Sequence, residues 1–244
     1  MTRYVARIPM VLDVPEAMHY AIKDVLEGEY EAHYDGKGLD ILDVGANCGS
    51  FALWASARWP GSHVTSFEPH PETFKLLTRN AGGRKDITLV NAALFPGGLK
   101  KATFHSRYDG DGESTLAAYS GDTFVAGAQV HTYEVDVVDP ATLPSADVVK
   151  IDIEGGEGEV LANLDLSKTS LVLLEFQNSK NREMLRDTLA RDFDILRDEP
   201  CEWSPILGYK GYRQDLAGDV YGRIFAVRKG VSRLTKVEPV ALRD

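Results

Sequence analysis

One stretch in the first quarter of the chain, ILDVGANCGSFAL from Ile41 to Leu53, constrains the fold more than any other. It opens with ILDV, a short run that is apolar except for Asp43, which is typical of a strand buried in a parallel sheet. Gly45 and Gly49 then bracket a tight turn, and an apolar helix begins at Phe51. Strand, glycine turn and helix in this order predict an open α/β sheet in which a ligand approaches the backbone closely at the carboxyl edge.

The glycine spacing and the next acidic residue indicate which ligand the turn holds. A dinucleotide-binding turn has glycines at its first, third and sixth positions, whereas Asn47 and Ser50 stand at the third and sixth positions here. The following strand leads to Glu68, whose carboxylate can accept both hydroxyls of an adenosine ribose. Asp43 lies beside the turn, where its charge can orient the amino-acid end of a cationic ligand. A nucleoside with an amino acid and a positive charge but no phosphate is S-adenosylmethionine. The alternative is that the glycines only form the turn and that Glu68 is solvated.

Composition narrows the class of protein further. The chain has 244 residues and a formal net charge of -10, which disfavours a nucleic-acid partner because such partners need a basic footprint. No apolar run approaches membrane-spanning length, and the amino terminus lacks a signal-peptide pattern. The two cysteines, Cys48 and Cys201, are too few for a disulfide framework or a zinc site. We therefore expect a cytoplasmic protein that acts on a small molecule, its acceptor, and that has no nucleic-acid or membrane partner. Whether the protein forms a homo-oligomer stays open.

Strands alternate with helices along the chain and end in a late antiparallel pair, which predicts a doubly wound α/β fold. We expect one domain over 1–244, with a lead-in strand or hairpin and helix over 1–38, a Rossmann-like core over 39–228 and a tail over 229–244. Two extra strands are predicted at Leu99–Arg107 and Thr123–Val135. The glycine-rich, acidic stretch between them, 108–122, is either a solvated hairpin tip or a loop that covers the substrate.

Acidic residues at the ends of two later strands are the candidates for catalysis. If the group acted on is an alcohol, which holds its proton tightly, a neighbouring base or a divalent cation must assist removal of that proton. Asp152, at the end of a buried strand, and Glu154, two residues later, are the predicted catalytic residues. Asp152 and Glu175, which ends the next strand, would offer the oxygen ligands that Mg²⁺ or Mn²⁺ prefers. The alternative is that these carboxylates bind helix-terminal amides or Lys150.

Two further features allow more than one interpretation. His70 follows Glu68-Pro69 and is expected to be a surface-loop residue rather than an edge of the cofactor site. The stretch 199–218 contains Trp203, Tyr209 and Tyr212, which could form a wall for the acceptor or cover the core.

Four motifs, DVGANCG, SFEPHP, VVKIDIEGGE and LLEFQN, resemble in order and spacing those of the FkbM family of S-adenosylmethionine-dependent methyltransferases. The likeness extends from about Leu26 to Asn178, and KIDIEGGE is its most specific part. EGEY at Glu27–Tyr30 and EST at Glu113–Thr115 are weaker matches. The resemblance implies a class I methyltransferase fold, with a seven-stranded Rossmann-like sheet whose last strand is antiparallel, and O-methylation of small molecules and sugars. The residues after Asn178 match no family pattern, so the resemblance does not identify the acceptor.

The predicted function is therefore methyl transfer from S-adenosylmethionine to a hydroxyl of a sugar or natural product. The residues expected to contact the cofactor are Asp43, Gly45, Ala46, Asn47, Gly49, Glu68, Pro69, Asn91, Ala92 and Asp152. Two alternatives stay open. One is an NAD-dependent oxidoreductase, which Glu68 would also suit but which the broken glycine pattern opposes, and the other is a non-catalytic protein that binds S-adenosylmethionine.

Overall fold

The computed structural model describes residues 2–5, 11–14, 18–107, 114–116, 118, 129–200 and 222–231. Most of the predicted loop over 108–122, most of the aromatic stretch over 199–218 and most of the tail over 229–244 lie outside the described residues.

Strands and helices alternate through most of the described chain. In chain order the strands are β1 (Thr2–Val5), β2 (Val11–Val14), β3 (Asp40–Val44), β4 (His63–Phe67), β5 (Ile87–Val90), β6 (Ala93–Leu94), β7 (Lys101–Ser106), β8 (Thr115–Leu116), β9 (His131–Val138), β10 (Val148–Ile151), β11 (Leu171–Phe176), β12 (Phe193–Pro200) and β13 (Gly222–Arg228). The helices are α1 (His19–Glu27), α2 (Ser50–Arg58), α3 (Pro71–Ala81), α4 (Glu157–Asn163) and α5 (Ser179–Leu189). No helix among the described residues is long and apolar enough to cross a membrane.

The central sheet has seven strands in the order β12-β13-β11-β10-β3-β4-β5. The five strands from β11 to β5 are parallel to one another, and β13 lies antiparallel between β11 and β12. This confirms the predicted doubly wound fold, in which the last strand is antiparallel. It also confirms the predicted closing pair, since β12 and β13 pair along their length.

Both faces of the central sheet are covered, as the apolar strand sequences require. Along β11, Leu171 and Leu173 belong to the apolar cluster on one face, and Val172, Leu174 and Phe176 belong to the cluster on the other. The first cluster also contains residues of α1, α2 and α3, and the second contains residues of α4 and α5. The alternation follows from the two-residue period of a strand, and it places three helices on one face and two on the other.

A second, smaller sheet is inserted between β5 and β10. Its strand order is β6-β9-β7-β8, and β7 pairs antiparallel with both β8 and β9. The two extra strands expected from the sequence are thus present where the structure describes them: β7 lies within Leu99–Arg107, and β9 overlaps the end of Thr123–Val135, whose residues 123–128 lie outside the described residues. The amino-terminal hairpin is present as well, because β1 and β2 pair antiparallel from Thr2↔Val14 to Val5↔Val11.

We expect Leu173→Ala in the centre of β11 to lower the free energy of unfolding by about 2–5 kcal/mol, because it leaves a cavity in a fully buried site. Leu99→Ala is the matched control, since Leu99 is 51% exposed and its truncation should change stability by less than about 0.5 kcal/mol. Urea unfolding of both variants measures the difference. Equal losses would contradict the burial of Leu173.

Candidate active site

The pairing of the parallel strands aligns five residues in one row at the carboxyl edge of the sheet. The strand pairs end at Phe67↔Val90, Val44↔Phe67, Ile151↔Val44 and Ile151↔Leu174. One residue further along each strand, the row therefore reads, across the sheet, Asn91, Glu68, Gly45, Asp152 and Glu175. The convergence of the acids that follow or end these strands is thus a direct result of the parallel register.

Gly45 lets two strand ends approach each other at the centre of this row. Its φ is +80°, and a Cβ atom at this position would lie 1.8 Å from the carbonyl oxygen of Asp152. The N–H groups of Gly45 and Ala46 donate to the carbonyl of Phe67 at 3.0 and 2.9 Å. The turn is therefore attached to both neighbouring strands, and only glycine fits at its first position.

Glu68 is buried beside this turn and is held by two backbone N–H groups. The N–H of Asn47 donates to one carboxylate oxygen at 3.0 Å, and the N–H of His70 donates to the other at 2.8 Å. Burial raises the pKa of Glu68 to about 7, although the two N–H groups and the charge of Lys150 act in the opposite direction. The carboxylate is thus oriented before any ligand binds.

Lys150 is a buried cation beneath the glycine turn. Its Nζ donates to the carbonyl oxygen of Gly45 at 2.7 Å and lies 3.4 Å from an oxygen of Asp43 and 3.7 Å from an oxygen of Asp152. Burial alone would lower the pKa of Lys150, but the two carboxylates outweigh it and the pKa lies above its ordinary value. Lys150 therefore stays charged and connects the ends of β3 and β10.

Asp152 receives a second contact from a residue far away in the sequence. The hydroxyl of Tyr30 donates to the same Asp152 oxygen that faces Lys150, at 3.1 Å. Tyr30 is itself buried, and its ring lies against the rings of Phe51 and Phe225. Burial and then the charge of Asp152 raise the pKa of Tyr30 well above its usual range, so the phenol remains a donor. Tyr30 lies in the EGEY segment, whose weak family resemblance was the only sequence signal for it.

The turn after β10 contains Glu154, a non-glycine residue in the left-handed region at φ +59°. Such a backbone conformation is uncommon and marks a position that its surroundings must hold. Glu157 does this from inside the protein, because its carboxylate accepts the N–H of Gly155 at 2.8 Å and the side-chain amide of Asn181. Burial raises the pKa of Glu157 to about 7 against the effect of these hydrogen bonds.

A cavity with about 660 Å³ of space, part of it open to solvent, lies over the row of strand ends. Its lining includes predicted cofactor and catalytic residues, namely Gly45, Asn47, Glu68, Pro69, Ala92, Asp152 and Glu154. It also includes residues that sequence reasoning missed, among them Thr73, Leu94, Phe104, Ser114, Leu116 and Ile153. Several of the missed residues are apolar and lie on or next to the second sheet, and the weak EST resemblance at Glu113–Thr115 was the one sequence signal near them.

Four predicted cofactor residues, Asp43, Ala46, Gly49 and Asn91, are not among the residues that line the cavity. Asp43 is fully buried and contacts Ser66 and Lys150, and Ala46 is buried in the core. Gly49 has φ +94° and precedes the first residue of α2. The side chain of Asn91 donates to the carbonyl oxygens of Glu68 and Pro69, at 2.7 and 3.1 Å. These positions shape the turn and the strand ends, and direct contact of the four residues with the cofactor stays a prediction.

One carboxylate oxygen from each of Asp152, Glu154 and Glu175 lies within 4.8 Å of the others, so these three could hold a metal ion. Two cations border the group, since Lys150 is 3.7 Å from Asp152 and Arg223 is 3.8 Å from Glu175. Asp152 and Glu175 are therefore placed so that they can act either as metal ligands or as ion-pair partners of these two cations.

The expectation that His70 is a surface residue is wrong. His70 is 1% exposed, and its Nδ1 accepts the N–H groups of Glu72 and Thr73 at the start of α3, at 3.2 and 3.3 Å. Its own N–H binds Glu68. His70 is therefore the N-cap of α3, a position that Pro71 at the first helical position favours. Its backbone N–H also helps to orient the carboxylate of Glu68.

We expect Gly45→Ala to lower the free energy of unfolding by roughly 1–3 kcal/mol more than Gly83→Ala does, because the added Cβ would overlap Asp152. Gly83 is a matched control, since its φ is +83° and an added Cβ meets nothing within 4 Å. Chemical denaturation of both variants measures the excess. Equal losses would mean that the close approach of Gly45 and Asp152 is absent.

Comparison with known proteins identifies the family. The model of the Methyltransferase FkbM domain matches residues 43–210. Hexuronic acid methyltransferase AglP of Haloferax volcanii is 29% identical over 56% of this chain and 55% of its own length. The 31-O-demethyl-FK506 methyltransferase FkbM of Streptomyces tacrolimicus is 28% identical over 51% of this chain and 59% of its own length. Methyltransferase sdnD of Sordaria araneosa is 25% identical over 82% of this chain and 95% of its own length.

The family match agrees with the resemblance that the four motifs indicated, and it decides against the oxidoreductase alternative. Together with the seven-stranded fold and the cavity at the glycine turn, it establishes that the chain belongs to the FkbM methyltransferase family and is an S-adenosylmethionine-dependent methyltransferase.

Proposed function

We propose that this enzyme transfers the methyl group of S-adenosylmethionine to a hydroxyl group of a small molecule, either a sugar or a natural product. The observation that carries the proposal is that two carboxylates, Asp152 and Glu154, line the same cavity as Gly45 and Glu68. A cofactor turn and candidate bases share one space, as transfer to an alcohol requires. The names of two relatives, a hexuronic acid methyltransferase and a 31-O-demethyl-FK506 methyltransferase, support an acceptor of this class.

In this proposal the cofactor lies along the row of strand ends. Glu68 accepts the hydroxyls of the ribose with the capacity that the two backbone N–H groups leave, and the sulfonium end lies over Gly45 towards Asp152. The buried Asp43 also acts through Lys150, which donates to the carbonyl oxygen of Gly45 in the turn. An acidic surrounding suits this ligand, because its sulfonium and ammonium groups are cationic.

The transfer is an in-line displacement at the methyl carbon. The acceptor oxygen forms the new C–O bond while the C–S bond breaks, and the sulfonium becomes the neutral thioether of S-adenosylhomocysteine. The hydroxyl proton passes to a carboxylate, for which Asp152 is the first candidate and Glu154 the second. A positioned base of this kind typically increases the rate about 10²–10⁴-fold. Orientation of the two reactants can lower the activation barrier by roughly 7–11 kcal/mol.

A divalent cation is a second way to assist the acceptor. The carboxylates of Asp152, Glu154 and Glu175 form an all-oxygen donor set, which suits Mg²⁺ or Mn²⁺. When bound there, such an ion would lower the pKa of the acceptor hydroxyl. The neighbouring Lys150 and Arg223 compete with an ion for two of the three carboxylates.

Binding of the ribose should depend on pH through Glu68, whose pKa is about 7 in the free protein. The ribose hydroxyls donate hydrogen bonds, so they prefer the ionised carboxylate, and affinity should rise as the pH rises through 7. We expect the affinity for 5′-methylthioadenosine to increase about tenfold from pH 6 to pH 8, following the ionised fraction. Calorimetric titration measures it, and this ligand has the ribose diol without the titrating amino-acid end.

Glu68→Gln is the matched control for the pH dependence. The amide keeps the shape of the side chain but cannot ionise, so its affinity should be lower at pH 8 and nearly constant between pH 6 and pH 8. A pH profile that persists unchanged in Glu68→Gln would remove Glu68 from the ribose site.

Methyl transfer itself is tested with methyl-labelled S-adenosylmethionine and a panel of hexuronic acids, glycosides and macrolide alcohols, with RNA and peptide as further acceptors. We expect label on a small-molecule hydroxyl. For an acceptor so found, Asp152→Asn should lower kcat by about 10²-fold or more, because the base is lost. Label on RNA, on peptide or on a nitrogen atom would contradict the proposed acceptor class.

The same assay separates a carboxylate base from a metal ion. If a cation assists, a chelator abolishes turnover and Mg²⁺ or Mn²⁺ restores it, and Glu175→Gln loses activity together with Asp152→Asn. If Asp152 acts as a base alone, the chelator has no effect. Full turnover of Asp152→Asn at saturating acceptor would exclude both roles for this residue.

A further inference from the structure

We propose that the second sheet supplies the binding surface for the adenine base of the cofactor, with Phe104 and Leu116 as its apolar wall. This inference rests on the proposed placement of the ribose at Glu68. It assigns a role to Phe104 on β7 and Leu116 on β8, which lie outside the sequence motifs.

Phe104 and Leu116 form one surface on the second sheet. They are directly paired between β7 and β8, and both line the cavity although they are only 4% and 7% exposed. Behind them they pack with Ala93 and Val135 in a small apolar cluster of their own. The wall is therefore a well-packed, largely buried part of the cavity.

The wall lies at one end of the row of strand ends. The second sheet begins at β6, whose Ala93 follows directly on Asn91-Ala92 after β5, and β5 is the edge strand beside β4. The ring of His70, two residues after Glu68, lies 6.1 Å from the ring of Phe104. The wall therefore adjoins the Glu68 side of the row, and β3 separates β4 from the strand that ends at Asp152.

The order of the chemical groups in the cofactor determines that adenine is the group nearest this wall. The ribose joins the adenine on one side to the sulfonium on the other. With the diol at Glu68 and the sulfonium over Gly45 towards Asp152, the base extends the opposite way, towards Ala92 and the second sheet. The flat apolar faces of adenine suit Phe104 and Leu116, because bases bind favourably to aromatic and aliphatic side chains.

Calorimetry with S-adenosylhomocysteine and 5′-methylthioadenosine tests this assignment without any acceptor. Both compounds carry adenine, but only the first carries the amino acid. We expect Phe104→Ala to weaken the binding of both by the same factor, about fivefold or more. Phe104→Leu should weaken both to a smaller extent, and Leu116→Ala should behave like Phe104→Ala; these two variants serve if Phe104→Ala does not fold.

Phe95→Ala is the matched control. Phe95 packs against the same apolar cluster as Phe104 but does not line the cavity. Its truncation should lower the melting temperature as a loss of packing does, with the affinity for both ligands unchanged.

The possible results separate this inference from the proposed cofactor site. Equal losses for both ligands in Phe104→Ala, with no loss in Phe95→Ala, support the adenine wall. Normal binding of both ligands by Phe104→Ala would overturn the adenine wall and would indicate that this surface faces the acceptor instead. A loss confined to S-adenosylhomocysteine would also overturn it, because Phe104 would then lie at the amino-acid end of the cofactor. A wild-type protein that binds neither ligand would overturn the cofactor site itself.

Discussion

The charge of Lys150, buried beneath the glycine turn, is the interaction on which the rest of the site depends. A buried ammonium group is unfavourable unless opposite charges and hydrogen-bond acceptors surround it. Here the acceptor is the carbonyl of Gly45, and the opposite charges are Asp43 at the end of β3 and Asp152 just after β10. Removal of Lys150 would leave the buried Asp43 without its cation, and removal of Asp43 would leave Lys150 with less opposite charge. The same contacts therefore fix the turn, hold the two strand ends together and set the direction of the one carboxylate among them that reaches the cavity.

Much of this site could be predicted from the sequence, because parallel strands bring their carboxyl ends to one edge. Glu68, Asp152 and Glu175 each follow or end an apolar run, and the register indeed places them in one row with Gly45. What the sequence could not indicate is which partner each acid has. Tyr30 is 122 residues from Asp152 in the chain, and its hydrogen bond to that carboxylate depends on how α1 and the segment after it pack on the sheet. No local pattern encodes such a contact.

The second sheet shows the same limit for apolar residues. The extra strands could be predicted from their alternation, but Phe104 and Leu116 look in sequence like any inward-facing strand residues. Only the pairing of β7 with β8 and the packing on Ala93 bring them to the cavity. The error at His70 has a related cause. A histidine between two prolines is typical of an exposed loop. Here the loop turns inward, because Glu68 accepts the N–H of His70 and the imidazole caps the start of α3.

The acids of the site also differ in what they do, although they resemble one another in sequence. Asp43 and Glu157 are fully buried, and their oxygens bind groups of the protein itself: a hydroxyl and a cation for Asp43, backbone and side-chain amides for Glu157. Asp152 and Glu154 are partly exposed and line the cavity. Glu68 combines both properties, since backbone N–H groups hold it while it still faces the cavity. A carboxylate whose acceptor capacity is filled by the scaffold determines geometry, and one that retains capacity towards the cavity can bind a ligand or take up a proton. The difference arises from three-dimensional packing, which is why the role of each acid follows from its partners rather than from its position after a strand.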